Sequence, residues 1–117
     1  MMYQIGETVW AIINVFDIPK KVKIKGIEYG KNASAIVTIK YRIQYKMKEF
    51  IVMNEDIYPT QIDAEIYWAI CIQQDYRHTL EIPDLYLTDD FIRANNKAKR
   101  IIQEYAEKSP DKLLKYL

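Results

Sequence analysis

Lys21, Lys23 and Lys25 alternate with Val22 and Ile24, and Lys40, Arg42, Gln44 and Lys46 alternate with Ile39, Tyr41, Ile43 and Tyr45. A period of two places successive side chains on opposite faces of an extended strand, so each segment has one apolar and one basic side. Two such segments cannot be buried on both sides at once. They specify an antiparallel sheet with a core beneath it and a cationic face above it.

The charge is sorted along the chain. Between Lys20 and Lys48 nine basic residues stand against Glu28 alone, although the whole chain sums to +1. Residues 49 to 92 reverse the balance, with ten acids and one arginine, Arg77. At 117 residues and 50% hydrophobic, the chain suits one domain with an ordinary core, and it needs neither a disulfide nor a metal to fold. Cys71 is the only cysteine, which excludes an internal bridge and fits a reducing cytoplasm. The N-terminal stretch has no positive leader or hydrophobic run of the kind a secretion signal requires. The longest apolar run, Ile66 to Ile72, is seven residues, well short of the roughly 20 that cross a bilayer. A cytoplasmic protein without a membrane partner is expected.

The first half reads as strands over Thr8 to Asn14, Lys21 to Tyr29, Ala35 to Tyr45 and Glu49 to Met53, all rich in β-branched and aromatic residues. Gly6, Asp17 to Pro19, and Gly30 to Asn32 supply turn chemistry. Lys46-Met47-Lys48 lacks the usual turn residues, but the apolar phase shifts there into Phe50-Ile51-Val52-Met53. That run predicts a reversal into a strand buried on both sides.

The second half reads as helix. Thr60 and Asp63 form a capping box with Asp in place of Glu, and Ile62, Ile66, Ala69 and Ile70 follow at helical spacing. Tyr67, Trp68, Cys71 and Ile72 widen this stripe into a helix for the core. After Ile82-Pro83-Asp84, Thr88-Asp89-Asp90 caps a second helix with Phe91, Ala94, Ala98, Ile101, Ile102 and Tyr105 on one face. Ser109-Pro110-Asp111 starts a short third helix that carries Leu113, Leu114 and Leu117.

Ile5-Gly6-Glu7-Thr8-Val9-Trp10-Ala11-Ile12, the lysine-rich strand ending at Gly30, and Asn54 to Thr60 running into Ala64-Glu65 resemble small SH3-like or Tudor-like barrels with an attached helix. Such barrels are associated here with uncharacterised proteins of Gram-positive bacteria, their phages and mobile elements. The resemblance implies five strands, the last a short one near Ile57 and Tyr58, and a binding role rather than catalysis. It carries over no site residue. The expected architecture is thus α+β: residues 1 to 59 as a small antiparallel SH3-like β-barrel, and residues 60 to 117 as two to three helices packed on it in a single compact domain.

No catalytic motif emerges. His78 is the only histidine, which leaves neither a two-imidazole metal cluster nor a Ser-His-Asp arrangement, and near a helix C-terminus it reads as solvent-exposed. Cys71 reads as a buried structural thiol. The pairs Glu55-Asp56 and Asp89-Asp90 occupy turn and cap positions, where acids serve the local backbone. Three glycines leave no room for a phosphate loop or a dinucleotide fingerprint. No enzyme, no metal and no cofactor is expected.

The basic face is the candidate site: Lys21, Lys23, Lys25, Lys40, Arg42 and Lys46. If the two strands pair, these side chains crowd together, at a cost of a few tenths to about 1 kcal/mol per directly opposed like-charged pair. A partner with many negative charges, either nucleic acid or an acidic protein surface, would offset that cost. Two alternatives stand beside it. One is an inhibitor or adaptor that binds a host protein through the acidic, tyrosine-rich middle block Asp75, Tyr76, Glu81, Asp84, Tyr86, Asp89 and Asp90. The other is capture of a small anionic metabolite between sheet and helices.

Overall fold

The computed structural model describes residues 3–31, 33–34, 36–81 and 88–116, the side chains of 75–81 excepted. Alternation makes the strands: β1 (Thr8–Ala11), β2 (Lys20–Lys31), β3 (Val37–Tyr45), β4 (Lys48–Met53) and, after a 3-10 turn at Asn54–Asp56, β5 (Ile57–Tyr58). They form one antiparallel sheet in the order β4-β3-β2-β1-β5. Inward-facing Val9, Ala11, Val22, Ile24, Tyr41, Ile43, Val52 and Ile57 are all buried in a single cluster. Val52 on one edge strand and Ile57 on the other therefore share a core, although β4 and β5 are not hydrogen-bonded to each other. The sheet curls without closing. Tyr3 bridges its underside: the Tyr3 N–H donates to the Tyr41 hydroxyl at 3.2 Å, and the Tyr3 hydroxyl donates to the Ile57 carbonyl at 3.3 Å.

Two details of the sheet set the geometry of its outer face. Lys23 lies opposite Gln44, but beyond a bulge between Ile24 and Gly26 the register moves, so that Gly26 faces Arg42 and Glu28 faces Lys40. The Arg42 guanidinium lies directly over Gly26, where a Cβ would stand only 2.7 Å from Nη2. At the β3–β4 reversal, Tyr45 pairs with Lys48 and the two intervening residues, Lys46 and Met47, both have left-handed backbones with φ +47° and +65°. A two-residue hairpin of this hand is ordinarily built from Asn-Gly, and a side chain in that region costs about 1–2 kcal/mol.

The expectation of a β4 buried on both sides is corrected. Ile51 is 59% exposed and only Val52 is buried, because β4 is an edge strand with no layer above its outer face. β1 is also shorter than expected, ending at Ala11 where the two-residue β5 runs out of partners.

Released from the sheet, residues 12–19 cross to the helices. The Trp68 indole N–H donates to the Val15 carbonyl at 3.0 Å, and Phe16 packs edge-on against Phe91 with ring centroids 6.1 Å apart. Three helices receive this loop: α1 (Gln61–Glu81), α2 (Asp89–Lys108) and α3 (Pro110–Lys115). The Thr60 hydroxyl accepts the Asp63 N–H at 3.3 Å, the first half of the expected capping box, and the Asp63 carboxylate accepts the same hydroxyl at 2.7 Å where a full box would have it accept the Thr60 backbone N–H. Asp63 is itself buried and also accepts the Tyr116 hydroxyl at 3.2 Å, which fixes α3 to the start of α1. Thr88 caps α2 by accepting the Phe91 N–H at 3.2 Å. Ala94 and Ala98 let α2 approach Trp68, Ala69 and Ile72 closely, and Asn95, buried there, pairs with the Gln73 amide. None of the helices, among the described residues, is long and apolar enough to cross a membrane.

Candidate functional site

All six basic residues read from the sequence are exposed: Lys21, Lys23, Lys25, Lys40 and Arg42 on the outer side of the sheet, with their apolar neighbours turned inward, and Lys46 in the β3–β4 turn. They do not form one cluster. Lys21, Lys23, Lys25 and Lys46 line a shallow depression of about 320 Å³ together with Thr8, Val22, Gln44 and Met47. No acid lines it. β2 contributes three lysines from its first half, and the tight β3–β4 turn swings the fourth over the end of the sheet. Among the described residues, none of these four lysines forms a salt bridge, though Lys46 lies over its neighbour's ring, 5.4 Å from the Tyr45 centroid.

Lys40 and Arg42 stand apart from this bay. Lys40 faces Glu28 across the ladder and borders a second depression with Glu28, Tyr29, Gly30, Lys31 and Thr38. Arg42 Nε lies 3.9 Å from Glu49 Oε2. The expected crowding of like charges between β2 and β3 does not arise, because the bulge sets Lys23 against Gln44, Arg42 against Gly26 and Lys40 against Glu28. Three of the bay's lysines follow one another along β2, and the fourth, Lys46, reaches it from the β3–β4 turn.

Lys20, out of phase with Lys21, Lys23 and Lys25 on β2, lies away from the bay and pairs with Asp17, whose carboxylate is 3.1 Å from it and 3.7 Å from Lys97. Partial burial pushes the Asp17 carboxyl up, but the Lys20 hydrogen bond, the Ile18 N–H and the two ammonium charges outweigh it and hold the group below its ordinary value. Asp17 is ionised at neutral pH and remains bound to both lysines. Four lining residues stand outside the predicted site: Thr8, opposite Lys23 on β1, Val22, Gln44, which the alternation of β3 places on the basic face, and Met47 in the turn. The β1–β2 register reveals Thr8. Met47 has no signal, since nothing in Lys46-Met47 announces a two-residue turn.

Of the acidic middle block, Asp84 and Tyr86 lie outside the described residues, as do the side chains of Asp75, Tyr76 and Glu81, and with them His78. Asp89 and Asp90 occupy the first turn of α2, where Asp90 pairs with Arg93 at 2.6 Å, in keeping with a capping role. Glu55 and Asp56 fall in the 3-10 turn. A small cavity of about 190 Å³ does lie between residues 12–15 and α1, lined by Ile12, Val15, Asp56, Tyr67, Trp68, Cys71 and Ile72. It has no cation and contains a carboxylate, so it does not suit an anionic metabolite. Cys71 there is half-buried rather than enclosed, because α1 leaves the cavity open beside it.

No group of three or more His, Cys, Asp or Glu side chains capable of holding a metal ion occurs among the described residues. Compared with protein-family models, with curated proteins and with solved structures, the chain matches none.

Proposed function

We propose that this is a non-enzymatic binding protein whose outer sheet face engages a polyanionic macromolecule, nucleic acid in particular. The observation that carries the reading is the bay itself: four lysines around one depression, unpaired by any acid among the described residues. Ammonium groups held without counter-charges recruit phosphates through release of condensed ions, and a flexible lysine contacts the backbone without reading bases. The curled sheet, whose two edge strands share one core, supports the further reading of an SH3-like barrel in the service of binding.

Fluorescence anisotropy with labelled nucleic acid over a range of salt concentrations tests the proposal. Four phosphate contacts give a slope of log affinity against log salt of about −3 to −4. A flat salt dependence, or no binding at low salt, would contradict it.

A further inference from the structure

Asp56 ends the 3-10 turn and lines the small cavity between residues 12–15 and α1. Among the described residues it forms no salt bridge, and no basic side chain lines the cavity with it. A carboxylate drawn out of water without a counter-charge is costly to keep ionised. Burial first, and then the neighbouring Glu55, push the Asp56 carboxyl above its ordinary value. Tyr58, raised chiefly by its own burial, and Tyr67, raised chiefly by Cys71, feel the Asp56 charge as well. One side of the cavity is therefore negative, and no described residue balances it.

The rest of the wall is apolar and aromatic, with Ile12, Tyr67, Trp68 and Ile72 placed around Cys71. Two hydrogen bonds hold it in shape: the Ile12 N–H donates to the Asp56 carbonyl at 2.9 Å, and the Trp68 indole N–H donates to the Val15 carbonyl at 3.0 Å. The loop is thus tied to the turn on one side and to α1 on the other, as in the preformed pockets that take small ligands. The volume of about 190 Å³ exceeds the roughly 150 Å³ that accepts a guest the size of benzene. Aromatic rings attract an ammonium placed over their faces, and isoleucines accept an alkyl chain. A neutral guest would leave Asp56 unpaired, and an anion would be repelled by it.

We infer that this cavity binds a small organic cation, an alkylammonium of roughly five to eight non-hydrogen atoms, with its head paired to Asp56 and its chain among Ile12, Trp68 and Ile72. The site shares no residue with the lysine bay and takes a ligand of the opposite charge. The same chemistry is offered by a free amine and by the lysine side chain of a partner protein.

Heteronuclear NMR of the isotope-labelled full chain, titrated with n-butylammonium and, as neutral and anionic counterparts, n-butanol and butyrate, tests the inference. The amine is expected to shift the amides of Ile12, Asp56, Cys71 and Ile72 and to bind about tenfold or more tightly than the alcohol, while butyrate does not bind. Asp56→Asn keeps the shape and the backbone carbonyl and removes a charge that the folded state disfavours, so its melting temperature should equal or exceed that of wild type. It should bind the amine about tenfold or more weakly. Cys71→Met fills the cavity from α1 without changing its charge and should abolish binding. Wild-type affinity in either variant, equal affinity for amine and alcohol, or no binding of the amine overturns the inference. A blocked lysine, Nα-acetyl-lysine amide, separates the two sources: tighter binding than butylammonium assigns the cation to a protein side chain, and weaker binding assigns it to a free amine. The polyanion reading stands or falls separately, on the salt titration with nucleic acid.

Discussion

Replacing Lys23 and Lys25 together by glutamate is expected to lower affinity for a polyanion by about a hundredfold or more at moderate salt. The two side chains stand on one stretch of β2 and line the same depression, so the exchange removes two phosphate contacts and sets two carboxylates against the same phosphates. The salt slope should shrink by about 2, since each lost contact contributes about 0.9. Folding should be unaffected. Both residues are exposed, Lys23 faces Thr8 and Gln44, and neither forms a salt bridge among the described residues. Exposed substitutions of this kind change stability by about 0.5 kcal/mol or less. Arg100→Glu with Lys115→Glu, on the exposed faces of α2 and α3, produces the same change in net charge away from the bay. Anisotropy and thermal melting on both pairs separate the local effect from the global one: equal loss of affinity in the two would mean that net charge alone governs binding.

Trp68→Ala is expected to cost about 3–5 kcal/mol of folding stability, a large share of the roughly 5–15 kcal/mol a domain possesses. Trp68 is 2% exposed and is the largest of the fully enclosed side chains. It packs with Ala69, Ile72, Ala94 and Ala98, and against Ile12 and Ile18 from the loop that leaves β1. Its indole N–H also supplies the 3.0 Å hydrogen bond to the Val15 carbonyl. Removing the ring therefore opens a cavity where α1, α2 and the 12–19 loop meet, and leaves a carbonyl without its donor. Trp68→Phe separates the two effects, because it keeps most of the volume and loses only the donor, for about 1–2 kcal/mol. Chemical denaturation followed by far-ultraviolet circular dichroism measures both. If Trp68→Ala melted within a few degrees of wild type, the loop and the helices would not be joined as described.

The elements most visible in the sequence are those whose periodicity is set by burial on one side. β2 and β3 alternate because one face meets the core, and α1 carries a wide apolar stripe because the 12–19 loop, α2 and α3 all pack on it. The caps at Thr60 and Thr88 were equally visible, since a hydroxyl before the first helical turn has a local purpose. Features that depend on pairing were not. The bulge after Ile24 decides which residues face Arg42 and Lys40, yet its only trace is Gly26, which reads as an ordinary small residue until the Arg42 side chain is seen above it. Four successive apolar residues in β4 suggested burial on both sides, but an edge strand can leave Ile51 exposed without changing its composition. The site was half legible for the same reason. Alternation placed six cations on one face, and only the register divided them into a bay of four and two residues matched with acids.

Heteronuclear NMR offers the most direct measurement of where the chain meets its partner. Titrating isotope-labelled protein with a short nucleic-acid duplex at low salt should shift the amides of Thr8, Lys21, Lys23, Lys25, Gln44, Lys46 and Met47 while those of α2 and α3 stay in place. Perturbations concentrated on the helices, or spread evenly over the surface, would contradict the assignment of function to the lysine bay.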